Sequence, residues 1–171
     1  MPGTLSAYTK VVIARLATPA DAAAIAHIYN QGIASHLATF ETTPRSAEDV
    51  ALWFEAPYPV VVAEDETGIG AFAATSRYRP RACYAGIAEF MVYVALDRQR
   101  QGLGKVALEA LFPIAAEHGL YKLVSRVFAQ NYASRRLLAS VGFREVGVYE
   151  RHGQLGGEWR DVVIVERFLD I

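Results

Sequence analysis

The chain has 171 residues, 53% of them hydrophobic and 20% charged, with a formal net charge of -1. That balance describes one globular domain large enough to bury a core, and it lacks the basic excess that nucleic-acid or membrane-surface binding requires. Apolar stretches such as residues 58–63 are far too short to span a bilayer.

Residues 1–9 read as a flexible tail and residues 10–171 as a single domain without repeats or linkers. A first strand is predicted over residues 11–16. Thr18-Pro19-Ala20-Asp21 then gives a helix start: a Thr cap, Pro in the first helical position and an acid two residues on. Ile25, Ile28 and Tyr29 follow at helical spacing. A second helix opens at Ser46, where Glu48 and Asp49 suit the positive end of its dipole.

Residues 58–64 and 70–77 predict two strands joined through Asp65-Glu66-Thr67-Gly68, and residues 88–95 predict another. A long helix follows over residues 102–118, closed by Gly119 in a left-handed cap, with a bend expected at Pro113. Residues 121–128 form a strand and 132–140 a short helix stopped before Gly142. A closing hairpin pairs 143–151 with 159–168. The order is that of a mixed α/β domain.

Residues 1–10 carry neither a basic segment nor an apolar run, so no signal peptide is read there. A lone cysteine, Cys83, excludes an internal disulfide, fits a reducing compartment and is read as a packing residue. His27, His36, His118 and His152 show no ligand spacing with one another or with Cys83. The expectation is a cytoplasmic protein that holds no metal.

The most informative stretch runs through Asp97-Arg98-Gln99-Arg100-Gln101-Gly102-Leu103-Gly104-Lys105. An apolar strand ends, a polar loop follows, and two glycines open the long helix. The first N–H groups of a helix have no internal partners, and with the helix dipole they form a site for a diphosphate. Arg98, Arg100 and Lys105 add positive charge. The plainer alternative is a turn followed by a tight helix contact. Neither the Gly-Lys-Ser/Thr of a Walker loop nor a third dinucleotide-binding glycine is present.

Gln99-x-x-Gly102-x-Gly104 resembles the acyl-CoA diphosphate motif of the GCN5-related N-acetyltransferase (GNAT) superfamily. Asn131-x-x-Ser134-x-x-Leu137 followed by Gly142-Phe143 resembles the second half of its core. The resemblance implies a single-domain GNAT fold, a central, mostly antiparallel mixed sheet flanked by about four helices. It also implies acetyl-CoA as cosubstrate. The loop Gln99, Arg100, Gln101, Gly102, Leu103, Gly104 and Lys105 would hold the diphosphate, with backbone N–H groups from 101–105. Met91, Val92, Tyr93 and Val94 would pair with the pantetheine arm as an added strand, and Asn131 and Ser134 would lie near the arm and thioester. Asn131 reads equally as a helix cap.

Amide formation needs a neutral amine, and a carboxylate in an apolar setting can take its proton. Glu89, within Ile87-Ala88-Glu89-Phe90-Met91, is the candidate, because a charge on a core strand is costly without a role or a partner. The residues alone allow an ion pair with a nearby arginine just as well.

Arg79-Pro80-Arg81-Ala82-Cys83-Tyr84, then Glu89 and Tyr93-Val94, resemble the phosphinothricin acetyltransferase branch of that superfamily. So do Ile28-Tyr29-Asn30, Thr39-Phe40-Glu41-Thr42-Thr43-Pro44 and Gly157-Glu158-Trp159-Arg160-Asp161. The stretch at 144–152 with 159–163 is similar to arsinothricin acetyltransferases of the same branch. Carried over, Glu89 becomes the general base, and Phe40, Arg79, Arg81, Tyr84 and Tyr93 line an acceptor pocket. Arg79 and Arg81, two apart, share a face of an extended backbone and suit an acceptor with a carboxylate and a second anionic group. They could also form a solvated loop.

Phosphinothricin and arsinothricin, amino acids with an anionic side-chain head, meet that description, and a two-arginine pocket also makes sense for methionine sulfoximine. A polyamine, an ordinary amino acid and a protein N-terminus are alternative acceptors, and a non-catalytic acyl-CoA sensor is an alternative function. Many members of the superfamily carry a Tyr, and the phosphinothricin branch often a His, where Leu138 stands here, so the general acid has no assigned residue, although Tyr132 is near in sequence. The resemblance further implies a homodimer.

Overall fold

A computed structural model describes residues 10–170; the tail expected at residues 1–9 lies outside the described residues. The chain begins in β1 (Ile13–Leu16), and Thr18 then caps a 3-10 turn at Pro19–Asp21 that runs directly into α1 (Ala22–Ser35). The Asp21 carboxylate accepts from the Thr18 backbone N–H at 2.8 Å and from two nitrogens of the Arg15 guanidinium. The predicted helix start is therefore real, but its first turn is tightened. Ser46 caps α2 (Ala47–Ala51) reciprocally: its hydroxyl accepts from the Asp49 N–H at 3.1 Å, and the Asp49 carboxylate accepts from the Ser46 N–H at 2.9 Å.

The strands β2 (Val60–Asp65), β3 (Gly68–Arg77) and β4 (Ile87–Val94) pair as antiparallel neighbours. Next come α3 (Leu103–Glu117), β5 (Lys122–Phe128) and α4 (Tyr132–Ser140). The α-helix α3 is continuous through Pro113. The chain closes with β6 (Arg144–Leu155) and β7 (Glu158–Phe168).

The closing hairpin differs from its prediction. Gly156 and Gly157 form its tight turn, with φ of 58° and 80°, the left-handed pair that matches strand twist. The stretch His152-Gly153-Gln154-Leu155, left between the two predicted strands, belongs to β6 instead. The register jumps there from Tyr149↔Val162 to Gly153↔Arg160, so β6 carries a bulge in which residues 150–152 oppose the single residue Asp161. The Asp161 carboxylate fixes it by accepting from the Arg151 backbone N–H at 2.7 Å.

Among the described residues seven strands form one sheet in the order β1-β2-β3-β4-β5-β7-β6, and only β4 and β5 are parallel. Helices α1 and α2 cover one face through Ile25, Ile28 and Val50 against Val62 and Phe72. Helices α3 and α4 cover the other, where Leu103, Leu108, Leu111 and Leu138 meet Phe90 and Leu123. Each large apolar side chain fully buried this way contributes roughly 1.5–3 kcal/mol. Among the described residues no helix is long and apolar enough to cross a membrane.

The position of the site follows from the β4–β5 pair. Their register covers only Ile87↔Lys122, Ala88↔Leu123 and Glu89↔Val124. Beyond Glu89 the two strands part, and a cleft opens in the middle of the sheet.

Candidate active site

The parting of the strands frees one edge of β4. Ala95 N–H donates to the Gly70 carbonyl at 2.8 Å, so the backbone groups of odd-numbered β4 residues face β3. Those of Phe90, Val92 and Val94 face the cleft, ready to accept an added strand-like ligand. Side chains alternate independently. Met91 and Tyr93 pack towards α1, and Val92 and Val94 towards α3.

A cavity of about 510 Å³ fills the cleft. Glu89, Met91, Val92 and Tyr93 line it from β4, and Arg126 and Phe128 from β5. Asn131, Ser134 and Leu138 close it from α4, and Phe40 and His152 from the opposite side. A second cavity of about 320 Å³ adjoins it, lined by Arg79, Tyr84, Val124 and Ile164. Glu89, Ser125, Arg126 and His152 line both. Glu89 thus sits at the junction, its side chain 29% exposed, and Arg126 Nη2 donates to its Oε1 at 2.7 Å. The carboxylate therefore has both features that the sequence left as alternatives, a cavity position and an arginine partner.

Tyr93 is held edge-on to Tyr29 with ring centroids 5.0 Å apart and stacked on Phe72 at 5.5 Å. Burial pushes its phenol well above the ordinary value, so it remains a proton-bearing hydroxyl in the cavity wall. Asn131 makes two bonds at once. Its Oδ1 accepts from the Ser134 N–H, capping α4, and its Nδ2 donates to the Leu37 carbonyl, each at 3.1 Å. The cap reading is correct, and the same amide ties the loop carrying Phe40 to the cleft.

At the other end of the cleft, Arg100 has φ of 61° and Gly102 of 82°, which turns the chain abruptly into α3. A Cβ at Gly102 would meet nothing within 4 Å, so the space beside that backbone is open. The N–H groups of Leu103, Gly104 and Lys105 stand at the start of α3, whose first return bond is Val106 N–H to the Gly102 carbonyl at 3.1 Å. These features fit a diphosphate. Gly104 serves packing instead, because a Cβ there would come within 3.1 Å of both Val94 and Leu137. The two glycines therefore divide the two readings between them. Gln99, Arg100, Gln101 and Lys105 surround the turn, and all four are exposed.

Arg98 requires a correction. It is 9% exposed and turned inward, pairing with Asp65 and donating to Thr67 Oγ1 at 2.7 Å. Its charge is neutralised inside the protein, and it anchors the loop rather than facing a phosphate. Lys10 also pairs with Asp65, at 2.8 Å, and foremost its ammonium, then Thr67 and Arg98, holds that carboxyl well below the usual range.

Other expected residues disperse. Arg81 is exposed and lines neither cavity, while Arg79 lines the smaller one with its guanidinium 5.0 Å from the Tyr78 ring. Cys83, read as packing, is exposed, because the segment Ala82–Tyr84 is a surface 3-10 turn. Tyr132 is 61% exposed and lies under Arg135, away from both cavities. Arg126 and His152 carry no signal in the sequence that marks them as site residues. Only strand alternation, Lys122, Val124, Arg126 and Phe128, could have put Arg126 on the face of Glu89, and it required the β4–β5 register. His152 reaches the junction through the β6 bulge, which leaves no local signal.

Comparison with known proteins follows the same lines. The family model described as Acetyltransferase (GNAT) family matches residues 26–143. An L-methionine sulfoximine/L-methionine sulfone acetyltransferase of Pseudomonas paraeruginosa is 33% identical over 88% of this chain and 91% of its own. A phosphinothricin N-acetyltransferase of Streptomyces coelicolor is 32% identical over 98% of this chain and 99% of its own. Among solved structures, a GNAT superfamily phosphinothricin acetyltransferase from Sinorhizobium meliloti in complex with acetyl-CoA superposes with a TM-score of 0.85. It is 29% identical, covering 92% of this chain and 88% of that one.

Proposed function

Because the chain belongs to the acetyltransferase (GNAT) family, we propose that it acetylates the α-amine of a small anionic amino-acid analogue of the phosphinothricin, arsinothricin or methionine sulfoximine type, with Glu89 as general base. It is an N-acetyltransferase enzyme, and acetyl-CoA is its cosubstrate. The observation that carries the finer reading is the position of Glu89. It stands where β4 and β5 part, at the junction of a cleft edged by free backbone and a smaller cavity containing Arg79 and Tyr84.

The residues present fit the cosubstrate. The turn from Gln99 to Lys105 would hold the diphosphate through backbone N–H groups, and the free edge of Val92 and Val94 would take the pantetheine amides. Asn131 and Ser134 would line the last stretch. Bound acetyl-CoA supplies an acetyl group activated as a thioester. Glu89 takes the proton of the acceptor ammonium, which leaves a neutral amine to attack. Tyr93, Phe40 and Leu138 limit water at the cleft floor. Leu138 is 2% exposed and has no proton to give, and a thiolate of ordinary pKa near 8.5 is a fair leaving group without one.

The homodimer belongs to the same reading. Tyr149 and Trp159 on the β6–β7 hairpin are 53% and 56% exposed, and a second copy would cover them. Sedimentation velocity reads this directly.

Thiol release from acetyl-CoA, followed over phosphinothricin, arsinothricin, methionine sulfoximine, ordinary amino acids and spermidine, tests the acceptor. Turnover on the anionic analogues is expected. Turnover on spermidine alone would keep the family chemistry and remove the acceptor assignment.

A further inference from the structure

The larger cavity holds very little positive charge. Among its described lining residues Arg126 is the one lysine or arginine, set against Glu41 and Glu89. The arginines expected to bind the acceptor lie elsewhere: Arg79 lines only the smaller cavity, and Arg81 lines neither. Lys122, also in the smaller cavity, is taken by Glu166.

Arg126 is differently placed. It projects from β5 two residues beyond the last one paired with β4, Val124 opposite Glu89. Its side chain is 42% exposed, and among the described residues its one side-chain hydrogen bond is the donation from Nη2 to Glu89 Oε1. A guanidinium has five N–H donors in a planar fork that fits a carboxylate with two parallel bonds. Most of that capacity is unused here.

An α-amino acid carries its ammonium and its carboxylate on one carbon. Laid against the Glu89–Arg126 pair it presents the same two charges in reverse: the ammonium meets Glu89 and the carboxylate meets Arg126. One half-exposed ion pair becomes two, and neither member of the original pair loses a partner. A simple amine or a polyamine would occupy Glu89 and leave Arg126 without a partner, a cost that works against those acceptors.

We propose that Arg126 is the acceptor's carboxylate anchor, and that the Glu89–Arg126 pair is the element that selects an α-amino acid over other amines. The inference rests on the acetyltransferase reading above. It assigns the α-carboxylate to Arg126, so that Arg79 and the smaller cavity face the acceptor's other end.

The test compares L-methionine sulfone with its carboxamide, which keeps the amine and loses the carboxylate, as acceptors for the wild type, Arg126→Met, Arg126→Lys and Arg79→Met. The quantity read is the ratio of kcat/KM for acid over amide. Thermal melting and acetyl-CoA binding by calorimetry report whether each variant is folded. For the wild type the ratio should be about 100, the size of a charge-assisted, two-bond contact. It should collapse towards one in Arg126→Met and recover in part in Arg126→Lys, because an ammonium restores the charge but not the fork. A wild-type ratio near one, or a ratio that survives Arg126→Met and disappears in Arg79→Met, would overturn the assignment. So would an equal loss on acid and amide, which would make Arg126 only a support for Glu89. Binding of acetyl-CoA with no turnover of either compound by the wild type is a separate result, and it would remove the amino-acid acetyltransferase reading itself.

Discussion

The ring of Phe40 fills the space that a side chain at position 153 would need: a Cβ on Gly153 would lie 2.8 Å from two of its carbons. Phe40 is held there edge-on to Phe128, with ring centroids 4.7 Å apart. Gly153 ends the bulge that carries His152, so the absence of a side chain lets the loop before α2 close onto β6. Gly153→Ala is expected to push Phe40 off Phe128 and widen the acceptor side of the cleft. The KM for the amine should rise about 5- to 10-fold while acetyl-CoA affinity holds, because overpacking of this kind costs roughly 1–3 kcal/mol. Steady-state kinetics varying each substrate separately will show whether the effect is confined to the acceptor.

Glu89→Gln keeps the shape of the side chain and an acceptor oxygen for Arg126. Acetyl-CoA should bind as before, and kcat should fall at least about 100-fold, the usual contribution of a positioned base. Undiminished turnover would mean that another group takes the proton.

The two glycines of the proposed diphosphate turn should fail in different ways. At Gly102, with φ of 82° and open space beside it, alanine strains the backbone by about 1–2 kcal/mol and crowds the approach of a phosphate. Acetyl-CoA affinity should drop about tenfold or more, with a small change in melting temperature. Gly104→Ala drives a methyl group against Val94 and Leu137. Its main cost should be stability, about 1–3 kcal/mol, read by denaturant titration.

Asp65 gives the fold an acid-sensitive anchor. Lys10 above all, with Thr67 and Arg98, holds its carboxyl below the ordinary value in the folded protein. A depressed folded-state pKa contributes stability that is complete above about pH 4 and is lost as pH falls further. Glu166, bonded first to Lys122 and then to Arg144, has the same sign. Melting temperature should therefore hold above about pH 5 and fall with increasing slope as pH drops through about 4 and below. In Asp65→Asn it should start lower and fall less. The variant should also bind acetyl-CoA more weakly, since Arg98 would no longer be fixed. A melting curve with the same slope as the wild type would show that Asp65 is not a source of the acid sensitivity.

The elements and the two-glycine turn into α3 were legible in the sequence because each is encoded locally. Thr18 and Ser46 announce caps within three residues, and residues 132–140 match α4 to the residue. The Gln99–Gly104 turn is one contiguous stretch in which a left-handed glycine and a helix start follow from adjacent residues. Arg98 departs from expectation within that stretch because its partner, Asp65, lies 33 positions earlier, and nothing next to an arginine says which way it turns.

The order of residues alone sets the succession of strands and helices, the place of the two-glycine turn before α3 and the presence of a carboxylate at Glu89 on a central strand. The surroundings of that carboxylate come from tertiary packing. The β4–β5 register stops at Glu89 and so sets it at a junction. Strand pairing brings Arg126 to it across 37 positions, and a bulge delivers His152. The difference is one of range, since helix caps and turns are selected by neighbouring residues. Which side chains meet across a split sheet depends instead on register and strand separation, which the packing of the whole domain settles.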